Sequence, residues 1–111
     1  MKIINKTQFL EMPTGTLYCT YEPCHAEIPM IKRGNSGKRD FIESPINDIE
    51  YDDTGDMVDK YESMEAGKSL PLALDETARN GMYNDNQLYM IYEKEDLQML
   101  IDKLEECKNS I

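Results

Sequence analysis

The chain has no tryptophan, only two phenylalanines and a single histidine, His25. It also lacks any long apolar run. No window approaches the roughly 18–20 apolar residues of a membrane span, and the opening MKIINKTQFLEM is too polar for a signal peptide. A cytoplasmic location with no membrane partner is therefore expected. Cysteine is scarce: Cys19, Cys24 and Cys107 form an odd set, which argues for reduced thiols and against a disulfide scaffold. Basic residues are in deficit too, with 12 Lys and Arg against 22 Asp and Glu and a formal charge of −10. Direct nucleic-acid binding needs a basic face to neutralise phosphates, so this balance disfavours it.

What is present suffices for one globular domain over residues 1–111. At 40% hydrophobic the chain is not a disordered acidic tail. Its 8 methionines and 7 tyrosines predict a soft core filled more by thioethers than by rigid rings. No repeat or linker divides it. The charge does divide it. Residues 1–39 carry six basic residues (Lys2, Lys6, Lys32, Arg33, Lys38, Arg39) against three acids, a net of +3. Residues 40–111 carry six against nineteen, a net of −13. Such asymmetry narrows the list of partners without naming one.

Local signals predict the elements. Asn5 and Gln8 have capping-box spacing, so a short helix is expected over about 6–11, ending near Pro13. TLYCTYE alternates with period two and reads as a strand. EIPMIKR reads as a second strand, demoted to an edge or a bulge by Pro29. The GNSG run at Gly34–Gly37 signals a hairpin turn, with KRDFIE as the return strand. After Pro45, INDIEYD reads as a short extended piece. Asp52-Asp53-Thr54 starts a helix on which Met57, Val58, Tyr61 and Met64 share a face, and Gly67 ends it. SLPLALD is a strand with Leu70, Leu72 and Leu74 on one face. QLYMIY is apolar on both faces and reads as a central strand covered on both sides. Leu97, Leu100, Ile101 and Leu104 predict a helix over about 94–108. The order α-β-β-β-α-β-β-α implies an α+β domain, a largely antiparallel sheet of about five strands with helices packed on it.

Candidate chemistry is thin. Cys19, Cys24 and His25 lie close together, but zinc needs four ligands, and adjacent side chains such as Cys24 and His25 seldom reach one ion. No metal site, no cofactor and no catalytic residue is expected, because no nucleophile–base pair stands at convincing spacing. Asn84-Asp85-Asn86 has calcium-loop residues without the spacing and reads as a polar turn. The paired carboxylates arise readily by chance in so acidic a chain. Two features remain. Lys32, Arg33, Lys38 and Arg39 bracket the GNSG turn, where exposed backbone N–H groups also favour anions. Arg79, with Tyr21 and Tyr83 as stacking faces, is the candidate second contact. The plain alternative is a solvated hairpin whose charges guard an edge strand. Those cations also suit the acidic half of a second copy, which favours a homo-oligomer. The other feature is the acidic run 40–65, with ten acids and one lysine. Carboxylates in such density imitate a phosphate row, or simply confer solubility.

Two stretches, FLEMPTGTLYCTYEPC (Phe9–Cys24) and NGMYNDNQLYMIYEKEDLQMLIDKL (Asn80–Leu104), resemble a family of small uncharacterised proteins encoded by phages and prophages of Gram-positive bacteria. The resemblance covers a little over a third of the chain and carries across no catalytic residue. It implies a small accessory protein made in an infected bacterial cytoplasm. Genes in that context often encode proteins that bind and block a host factor, and some of those proteins resemble sponges that trap nucleotide signals of bacterial immunity. The expected function is thus non-enzymatic capture of a small anionic, nucleotide-like ligand by the basic hairpin, in a counter-defence role. The alternatives are an acidic inhibitor that binds a basic host protein as a nucleic-acid mimic, and a structural accessory protein with no ligand.

Overall fold

The computed structural model describes residues 1–111, and the chain first coils where Asn5 caps it. The Asn5 side chain accepts from the Gln8 N–H at 2.9 Å, and the Gln8 side chain accepts from the Asn5 N–H at 3.0 Å. Two donors at the helix start are thereby satisfied reciprocally. They fix α1 (Lys6–Glu11), behind a strand that its length hid from the sequence, β1 (Lys2–Ile4). The chain continues through β2 (Leu17–Glu22), β3 (His25–Ala26), β4 (Met30–Ser36), β5 (Asp40–Pro45) and β6 (Asp48–Ile49). Next comes α2 (Thr54–Glu65), capped by the Asp53 side chain at the Asp56 N–H. β7 (Leu72–Ala73), β8 (Ala78–Arg79), β9 (Leu88–Ile91) and α3 (Lys94–Asn109) complete it.

The fold is α+β. The main sheet has seven strands, ordered β1-β9-β2-β4-β5-β8 with β3 on β2, and β6 pairs with β7 apart from it. Every pairing is antiparallel. The extra strands are pieces of two or three residues, too short to show a period. β4 is an interior strand, not an edge. Pro29 stands just before it, and the irregularity falls between Lys32 and Gly34.

The core is aromatic, not methionine-rich. Alternation along β2, β5 and β9 sends Tyr18, Phe41, Tyr89 and Ile91 toward α1, and Phe9 of α1 drops among them. The Phe9 ring stacks on Tyr89 at 4.1 Å and meets Tyr18 and Phe41 edge-on at 4.6 and 4.9 Å. Such pairs contribute about 0.5–1.5 kcal/mol each beyond the area they bury. None of the methionines is buried. β9 is interior, as expected, but it is closed over on one side alone: Tyr89 and Ile91 are buried, while Leu88 and Met90 are half-buried.

The helices after α1 depart further from expectation. α2 and α3 form over the residues their patterns predict, yet neither buries a single residue. Leu104, on the apolar stripe of α3, is 63% exposed. The radius of gyration is 15.9 Å, against about 13 Å for a compact domain of this length. Leu72 and Leu74 are exposed as well.

Candidate functional site

The hairpin turns later than the GNSG run suggests. Gly34 and Asn35 pair with Ile42 and Phe41, Ser36 pairs with Asp40, and the turn is Gly37-Lys38-Arg39. Gly37 takes φ +71°, the conformation that favours glycine there. The shift separates the four cations. At about 3.3 Å per strand residue, Arg33 lies some 13 Å from the turn. Lys32 is 1% exposed and points beneath α1. Its ammonium donates to the carbonyls of Phe9, Leu10 and Met12 at 3.0, 3.0 and 2.7 Å. Burial lowers its pKa. It is the C-terminal clamp of α1. Arg33 points to the other face and donates to Ser44 and to the Leu74 carbonyl. Lys38 is exposed at the turn. The expected cationic cluster is therefore not formed, because alternate residues of one strand face opposite sides of the sheet.

Three of the seven candidate residues do meet. Asn80 leaves β8 on a backbone hydrogen bond to the Phe41 carbonyl at 2.9 Å, which folds the 80–87 loop back over the turn. Arg79 then donates to the Tyr83 hydroxyl. Arg39 lies 5.8 Å from the Tyr83 ring centre and bonds the Tyr83 carbonyl. Tyr83 sits at φ +50°, a conformation uncommon outside glycine. The two arginines are not free, since Arg79 pairs with Asp40 at 3.0 Å and Arg39 with Asp85 at 3.1 Å. Burial works to raise the Asp40 pKa, but hydrogen bonds from the Gly81 and Phe41 N–H groups and from Arg79 outweigh it and hold the carboxyl below its usual range. Tyr21 takes no part. It lies half-buried on β2, and its hydroxyl accepts from the Cys24 N–H at 3.0 Å.

The fold sorts the acidic run 40–65. Asp40 is buried, and Glu43 accepts from the Tyr18 hydroxyl inside the domain. The remainder gathers on and before α2. Asp52, Asp53, Asp59, Glu62 and Glu65 are exposed there beside exposed Val58, Tyr61 and Met64. The cysteines lie apart, with Cys19 buried in β2, Cys24 in the turn after it and Cys107 exposed on α3. His25 pairs with Glu27 at 3.2 Å.

A cleft absent from the sequence reading lies between the end of β2 and the 80–87 loop. It holds about 240 Å³, and Thr20, Glu22, Glu27, Asn84, Gln87 and Tyr89 are among its walls. No lysine, arginine or histidine lines it. These residues are polar and scattered over four segments, so no motif joins them. Neither a family model, nor a curated protein, nor a solved structure matches this chain.

Proposed function

We propose that the protein is a non-enzymatic binding protein whose acidic surface docks a basic segment of another protein. The observation that supports this reading is α2, where Val58, Tyr61 and Met64 stand exposed among Asp59, Glu62 and Glu65. An apolar stripe flanked by carboxylates suits a partner that brings both apolar and cationic side chains. The resemblance of Phe9–Cys24 and Asn80–Leu104 to phage and prophage proteins fits a host factor in that role. The test is capture of a basic protein from bacterial lysate by the full chain. Retention should fall steeply between low and high salt and vanish for Asp59→Lys/Glu62→Lys/Glu65→Lys. A partner held equally by that variant, or indifferent to salt, overturns the reading.

A second reading, capture of a small anion, is supported by the meeting of Arg39, Arg79 and Tyr83 on one loop. Asp85 occupies Arg39 there. Asp85→Asn should therefore strengthen binding of a mononucleotide in calorimetry, and no heat from either form removes this reading.

A further inference from the structure

The cleft beside β2 is built for the opposite sign of ligand. Its floor is Tyr89, 1% exposed, whose ring is fixed by stacking on Phe9 while its hydroxyl has no hydrogen-bond partner in the chain. That hydroxyl is not sealed in: the one fully enclosed polar side-chain atom without a partner is Lys6 Nζ. Open to the cleft but unpaired within the chain, the Tyr89 hydroxyl is free to bond whatever occupies that space. Acceptors predominate around it: the Asn80 amide donates away from the cleft, to Glu43, which leaves the Asn84 amide and the Thr20 hydroxyl as the other donors in the lining. Gln87 donates from Nε2 to the carbonyls of Tyr21 and Leu88 at 2.9 and 3.1 Å, so both amide protons are engaged and its carbonyl is left for the cleft. The Thr20 hydroxyl and the Glu22 carboxylate have no partner either. Glu27 supplies a second carboxylate, held only by His25 at the surface. Behind the floor stand two more negative groups. Burial first, and then the carboxylates of Glu43 and Asp40, push the Tyr89 hydroxyl up to about 12.

We infer that this cleft binds an organic cation, an alkylammonium or alkylguanidinium group whose N–H donors reach Glu22, Thr20, Gln87 and Tyr89. The volume fits the class. About 240 Å³ is room for roughly eight waters at about 30 Å³ each. That is far more than a bare metal ion occupies and enough for a charged head with its apolar stem. Exposed Met82 forms a wall along which such a stem can lie. Several fixed acceptors facing one charged donor set is the arrangement by which ammonium and guanidinium groups are held. The site is separate from α2, so it stands or falls independently of the docking surface proposed above.

The experiment is a titration of the isotope-labelled full chain, followed by amide NMR, with two cationic probes and one anionic control. The probes are agmatine and acetyl-Gly-Arg-Gly-amide, and the control is glutarate. Saturable shifts are expected at Thr20, Gln87 and Tyr89 with the cations and none with glutarate. A tighter fit of the peptide assigns the group to a polypeptide side chain, and a tighter fit of agmatine assigns it to a free small molecule; either outcome supports the site. Tyr89→Phe keeps the ring stack, so it should fold and bind about tenfold more weakly, the loss of one hydrogen bond to a charged group. Glu22→Gln/Glu27→Gln alters exposed residues only and should abolish binding. Absence of saturable shifts at those three residues with both cations, or an equal response to glutarate, overturns the inference. So does unchanged affinity in the Glu22→Gln/Glu27→Gln variant.

Discussion

Replacing Lys32 by methionine keeps the length and apolar stem of a buried side chain and deletes its charge. The ammonium serves the carbonyls of Phe9, Leu10 and Met12, the open end of α1. Leu10 retains a second donor, Asn35 Nδ2 at 3.0 Å, and the Phe9 carbonyl keeps the Met12 N–H at 3.0 Å, so the substitution strands the Met12 carbonyl alone. Stranding that acceptor costs about 1–3 kcal/mol, and losing the bonds to the Phe9 and Leu10 carbonyls, which each keep another donor, adds about 0.5–1.5 kcal/mol apiece. The relief of burying a neutral thioether in place of an ammonium offsets about 1–2 kcal/mol of the total. The net loss is about 1–4 kcal/mol, a sizeable share of the 5–15 kcal/mol that typically holds a domain. At about 4–8 °C per kcal/mol for a domain near this size, the melting temperature should fall by at least about 4 °C. Thermal unfolding by circular dichroism reads this directly, and hydrogen exchange should show the α1 amides opening first. Lys38→Met is the control. Lys38 is exposed at the turn, so its loss should stay within about 0.5 kcal/mol. A Lys32→Met protein that melts within 2 °C of the parent, on the order of the same 0.5 kcal/mol, would refute the claim that Lys32 clamps the helix.

Phe9→Ala should cost about 3–5 kcal/mol, because it empties the centre of the ring cluster. Leu104→Gln on exposed α3 should cost less than about 0.5 kcal/mol, and urea unfolding separates the two. Asp40→Asn keeps the shape but weakens the bonds from Gly81 and Arg79, and should cost about 2–3 kcal/mol. Because the folded Asp40 carboxyl sits below its unfolded value, its contribution is complete above about pH 4 and is lost as pH falls through the folded value. An acid titration of Asp40→Asn should therefore show a shallower loss than the parent, and identical acid profiles count against the pairing. Tyr18 and Tyr89 have the opposite sign. Burial raises both, Tyr89 to about 12, so their contribution is intact below about pH 10 and is lost as pH rises through the folded values. Phenolate absorbance should show a subset of tyrosines titrating late and together with unfolding, whereas a single transition near pH 10, where about the unperturbed value lies, contradicts their burial.

Much of the local structure was legible. The Asn5–Gln8 box, the period of TLYCTYE, the Asp53 cap and the spacing of Leu97, Leu100, Ile101 and Leu104 are short-range signals, and each element formed where its signal lies. What failed was any inference about company. Lys32 and Lys38 are the same residue type a few positions apart on one predicted hairpin, yet one is interior and the other solvated. Their fates diverge because α1, some 20 residues earlier in the chain, ends over Lys32. Likewise an apolar helix stripe predicts a helix but does not supply a surface to cover it, and beyond half-buried Leu97 the stripe of α3 stands exposed.

Composition and period alone determined that this is an acidic α+β domain with a helix at each end of its pattern, since those depend on neighbours in sequence. The sheet order decided the rest. Pairing β9 between β1 and β2 brought Tyr89 beside Thr20, and the 80–87 loop closed a negatively lined cleft over them. No spacing rule connects residues that meet only across strands, so the sign of that site became visible only once the chain was folded.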